Sequence, residues 1–160
     1  MSIFATKDFD IYFRGVYDRA AHEASEDGSA TVEAQHLLLG IAAQHGTEPQ
    51  RMLAAAGLDY DSIRAALDRE FEESLAVAGV ALRVADLPRP VPAHRAPNMG
   101  ATGKLALERM TTTYSKSELR PPHLLLAILR AEVGTVPRAL AVAGIDRTDL
   151  LATLRAALTE

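Results

Sequence analysis

The chain has 160 residues, a formal net charge of −4 and no cysteine, which rules out disulfides, thiolate metal sites and cysteine nucleophiles and suits a reducing compartment. Its basic residues are scattered, so no concentrated positive face exists for nucleic acid. No window approaches 18 uninterrupted apolar residues and the N-terminus has no secretory pattern, so no membrane association and a cytoplasmic location are expected.

Alanine contributes 29 residues, against four tyrosines, four phenylalanines and no tryptophan, a balance that favours closely spaced helices over strands. The fold class expected is all-α.

Phe9, Phe13, Val16, Ala20 and Ala24 recur at three- and four-residue steps, which predicts a first helix entered through Asp8 and ending near Asp27-Gly28. The unbroken apolar run from Leu37 to Ala43 predicts a second helix covered on most sides. Thr47-Glu48-Pro49-Gln50 has the order of a capping box and starts a short third helix, which Gly57 stops. Asp59 then caps a fourth helix carrying Ile63, Leu67 and Phe71.

This order recurs. An offset of 87 aligns residues 36–71 with 123–158 without a gap, and 13 of those 36 positions are identical. His36-Leu37-Leu38-Leu39-Gly40-Ile41 answers His123-Leu124-Leu125-Leu126-Ala127-Ile128, and Ala56-Gly57-Leu58-Asp59 answers Ala143-Gly144-Ile145-Asp146. Residues 1–72 and 99–160 are therefore expected to be two tandem four-helix repeats, forming a pseudo-twofold bundle of eight helices. Residues 73–98 form a linker, since prolines at 88, 90, 92 and 97 bar a continuous helix through residues 73–103. Its Leu75, Val77, Val80, Leu82, Val84 and Leu87 are apolar enough to lie against the helices.

The doubled pattern resembles the repeat at the N-terminus of Clp unfoldases, most nearly the ClpC type, over Phe9 to Arg69 and Met99 to Leu158. The resemblance implies a docking domain for peptides, adaptor or substrate proteins, cyclic-peptide natural products and other Clp components, with no cofactor and no catalysis. It also implies that phosphoarginine is held by two glutamates, each in a Gly-Thr-Glu-His stretch before a leucine run. Here those stretches read Glu33-Ala34-Gln35-His36 and Arg120-Pro121-Pro122-His123, so Gln35 and Pro122 replace both acids. A neutral amide cannot give a guanidinium charge-assisted, bidentate pairing and proline offers nothing equivalent, so phosphoarginine recognition is expected to be weakened or lost. A shifted register would use Glu33 as the acid instead.

A second family surface lies where the second repeat begins. Allowing a three-residue deletion in the following loop, Met99 takes the place of its aromatic residue in the second repeat, and Lys104 and Glu108 match in type. With Phe9 these are the candidate ligand-binding residues. Lys104 and Glu108, four apart, also fit a plain surface ion pair.

Other chemistry is not supported. Gly100-Ala101-Thr102-Gly103-Lys104 lacks the upstream glycine and the following hydroxyl of a phosphate loop, and no clear strand precedes it. His22, His36, His45, His94 and His123 lack metal-ligand spacing, and no serine or threonine sits in a nucleophile motif. Two functions fit: a non-catalytic peptide-binding module, including a motorless decoy for toxic cyclic peptides, or a structural docking partner of a Clp protease assembly.

Overall fold

The computed structural model describes residues 3–92 and 94–159, with side chains from residue 7 onward. The first repeat contains α1 (Ile3–Glu26), α2 (Ala34–Ala43), α3 (Glu48–Ala55) and α4 (Tyr60–Val77). The second contains α5 (Ala101–Thr113), α6 (Pro121–Leu129), α7 (Thr135–Val142) and α8 (Arg147–Leu158). Between them runs a strap with one 3-10 turn at Val84–Asp86. The expected all-α bundle of two four-helix repeats is what the chain forms.

α2 and α6 are the axis of the core. Leu37, Leu39, Ile41, Leu124, Leu125, Ile128 and Leu129 are wholly buried, as continuous apolar helices require. α1 crosses α2 so closely that a Cβ on Gly40 would lie 2.5 Å from the Val16 carbonyl oxygen, which only glycine permits.

Local signals recur across the offset. Asp59 and Asp146 each accept a hydrogen bond from the backbone N–H three residues on, at 2.7 and 3.0 Å. Gly57 and Gly144 end α3 and α7 with φ of +80° and +75°. His36 and His123 each turn Nδ1 back to accept the N-cap N–H, of Glu33 and Arg120, at 2.9 Å. Each ring proton therefore sits on Nε2.

Several details depart from the sequence reading. α1 begins at Ile3, so Asp8 lies inside the helix instead of at its cap. Thr47 is the N-cap of α3, but its hydroxyl donates to the Gln44 carbonyl at 2.7 Å. Gln50 reaches past it to accept from the Gly46 N–H at 3.2 Å, so the reciprocal box is displaced by one residue. α4 continues to Val77, into the stretch read as linker, because no proline or glycine intervenes before Gly79.

The strap is tied down at three points. Val84 donates its N–H to Glu72 at 2.8 Å, Pro90 and Val91 lie beside Gly28, and the Tyr17 hydroxyl donates to the Pro97 carbonyl at 3.4 Å. Leu75, Leu82 and Val84 are half-buried, whereas Val77, Val80 and Leu87 stay exposed. Its end forms a two-residue parallel bridge, Asn98–Met99 against Thr31–Val32.

Candidate binding cleft

Where the strap crosses the first repeat it roofs a cleft of about 370 Å³ between α4, the start of α2 and the start of α7. Leu67, Phe71, Val84, Leu87 and Pro90 give it an apolar wall, with Phe71 46% and Leu87 39% exposed. Asp27, Gln35, Arg64, Asp68, Glu70 and Thr135 supply its polar groups.

Most of these charges are already committed. Arg64 donates to Asp27 at 2.6 and 3.2 Å, and His36 Nε2 lies 3.3 Å from the same carboxylate. Burial pushes the Asp27 carboxyl up, but the bonds from His36 and Arg64 outweigh it and hold Asp27 below the usual range. Behind it, buried Glu23 takes a 2.9 Å bond from Arg19 and a 2.6 Å bond from the Tyr60 hydroxyl. Glu70, also buried, accepts from Arg138 at 2.8 Å and from Ser74 at 2.7 Å.

Asp68 differs. Arg64 stands 3.8 Å away, beyond hydrogen-bond distance. Burial pushes the Asp68 carboxyl up, Arg64 pulls it down, and the Asp27 and Glu72 charges add to the rise. It is the under-compensated acid of the cleft, set beside exposed Phe71 and Leu87.

The second repeat has no copy of this polar cluster. Tyr114, the first residue after α5 as Asp27 is the first after α1, stacks on His123 with centroids 4.0 Å apart. Arg64 is answered by buried Leu151. The histidines are shared while their surroundings have diverged, one set ionic and one aromatic. Burial and the Arg120 charge lower the His123 pKa.

Sequence comparison places this geometry. Residues 9–84 match the family described as Clp repeat (R) N-terminal domain. That segment of the chain is similar to a Clp N-terminal repeat. No curated protein matches its sequence. Among solved structures, the N-terminal domain of the caseinolytic protease associated chaperone ClpD from Arabidopsis thaliana shares the fold. Its TM-score is 0.63 at 19% identity, over 91% of each chain.

Within this Clp N-terminal fold, the sequence-predicted residues fall in separate places. Gln35 lines the strap-roofed cleft, whereas Pro122 is buried in the first turn of α6. Glu33, the acid of the shifted register, has its carboxylate engaged by the Thr31 hydroxyl at 2.9 Å and the Thr102 N–H at 3.0 Å, with the Thr102 hydroxyl also bonded. The glycines of the sequence resembling a phosphate loop have a packing reason. A Cβ on Gly100 would strike the Glu33 carboxylate, and one on Gly103 would come 2.8 Å from the Val32 carbonyl oxygen. The anion at the α5 N-terminus is thus the chain's own Glu33.

Met99 is half-buried in the bridge before α5, and Lys104 and Glu108 lie exposed on that helix without an ion pair between them. Phe9 is 5% exposed and packs against Phe13 and Tyr12, at 6.2 and 6.4 Å between ring centroids. Residues 27–33 and 114–120 connect their helices at equal length.

Sequence reasoning missed Asp68, Phe71, Leu87 and Thr135 as a group. Only the fold of the strap over α4 unites them. Among the described residues, no group of three His, Asp or Glu side chains is placed to hold a metal, and no helix is long and apolar enough to cross a membrane.

Proposed function

We propose that this chain is a non-catalytic binding module that takes up segments of peptides, adaptors or substrate proteins in the strap-roofed cleft. The observation that carries the reading is the pairing of exposed Phe71 and Leu87 with under-compensated Asp68 in one concavity. An apolar side chain next to a basic one covers the first two and neutralises the third. Cyclic-peptide natural products combine apolar side chains with a rigid backbone, so they are the second ligand class. A chain that held them would spare an unfoldase bearing the same fold.

With Gln35 in the cleft and Pro122 buried, the chain offers a phosphoarginine guanidinium no free glutamate at either family position. Titration with free phosphoarginine is expected to show no micromolar binding.

The main test is a nuclear magnetic resonance titration with a short peptide containing adjacent leucine and arginine. Shifts are expected at Phe71, Leu87 and Asp68, with affinity about fivefold weaker for Asp68→Asn, as befits a partly exposed ion pair. Shifts confined to other parts of the surface would overturn the reading.

A further inference from the structure

Every residue from Leu87 to Pro92 is either a proline or the residue before one. The proline ring fixes its own φ and its bulk keeps the preceding residue extended, so this part of the strap is barred from helix. Leu87 shows the result, with φ −82° and ψ 147°, the dihedrals of a polyproline II helix. Six such residues make two turns and span about 19 Å. Both flanks are clamped: Val84 donates to Glu72 on one side, and the Tyr17–Pro97 bond and the Asn98–Met99 bridge hold the other.

Three residues per turn sort the strap into faces. Val84, Leu87 and Pro90, at steps of three, line the cleft below, and Pro90 rests on Gly28. Pro88 and Val91 turn away from it, both exposed, Val91 to 75%. Arg89 and Pro92 form the third face, also exposed. Arg89 overhangs a recess between α1 and α4 in which Glu23 and Asp27 are already held by Arg19 and Arg64. Glu26 lines the same recess beyond ion-pair distance, so among the described residues Arg89 has no ionic partner. Among those residues the backbone of 88–92 makes no hydrogen bond either, and Pro88, Pro90 and Pro92 have no N–H to offer.

We infer that the outer face of Pro88–Pro92 docks into a partner protein, in a shallow groove walled by aromatic rings, with donors for the strap carbonyls and a carboxylate for Arg89. The strap's own chemistry selects that partner. A sheet edge would need N–H groups that the prolines lack, whereas flat rings match the Pro88 and Val91 surface and their N–H or O–H groups reach the free carbonyls. The clamped flanks have ordered the segment at folding, so binding need not order it again. Pro88, Arg89, Val91 and Pro92 are absent from the lining of the cleft, so either reading can fail without the other.

The probe is a WW domain with a carboxylate beside its aromatic groove, titrated into the full isotope-labelled chain. Shifts are expected at the Arg89 and Val91 amides and the Val91 methyls, with Phe71 unmoved and affinity unchanged in Asp68→Asn. Arg89→Ala is expected to weaken binding about fivefold, the range of an exposed ion pair. Pro88→Ala with Pro92→Ala removes two rings and frees the backbone, and is expected to weaken it about tenfold. All three positions are exposed, and circular dichroism verifies that the variants fold. The free peptide of residues 87–92, which lacks the clamps, is expected to bind about threefold more weakly than the chain. No shift at millimolar WW domain, shifts confined to other surfaces, undiminished binding by the proline variant, or a free peptide that binds as tightly as the chain would each overturn the inference.

Discussion

At Tyr12 a hydroxyl is buried with no hydrogen-bond partner among the described residues, and burial raises its pKa. An unsatisfied buried hydroxyl costs more than the apolar group of the same shape. Tyr12→Phe is therefore expected to stabilise the fold by about 1 kcal/mol, a rise of about 2–4 °C in melting temperature by calorimetry. His123 makes the second residue-scale prediction. Its folded pKa is depressed, so its contribution to stability is complete above the unfolded value near 6.5 and is lost as pH falls through the folded value. His123→Gln keeps an acceptor for the Arg120 N–H but does not titrate. Denaturant melts between pH 7 and 5 are expected to show the natural chain weakening relative to the variant as pH drops.

Among elements, the two histidine settings are a built-in comparison. Removing Asp27 alone strands Arg64 and His36, so Asp27→Ala is expected to cost about 2 kcal/mol in urea unfolding. Replacing Asp27 by Tyr and Arg64 by Leu together imports the second repeat's arrangement, and the pair is expected to fold within about 1 kcal/mol of the natural chain. The sequence made the helices legible because capping aspartates, stop glycines and leucine runs act locally and appear twice. It did not disclose the ionic cluster, whose members sit on α1, α2 and α4 with no shared spacing. The strap was readable as non-helical from its prolines, yet its role as the roof of a cleft depends on contacts such as Val84 with Glu72, which no local pattern encodes. Phe9 misled because its helical stripe marks burial as readily as a binding face, and burial is what the fold delivers.

Over the whole molecule, the halves are bound by more than a covalent tether. The Asn98–Met99 bridge, Glu33 with Thr102, Arg138 with Glu70 and the core between α2 and α6 all join residues of different repeats. Cleavage in the exposed stretch 87–92 is thus expected to leave a particle that still elutes at the mass of the intact chain on size exclusion. Separation into two fragments without denaturant would contradict this.

That same clasp is indifferent to which molecule supplies each half. A strap about 20 residues long spans some tens of ångströms when extended, enough to deliver a second repeat to the first repeat of a neighbour. Refolding from concentrated denatured stock is therefore expected to yield a fraction of interlocked pairs, each bundle assembled from two chains, that dissociate only on renewed unfolding.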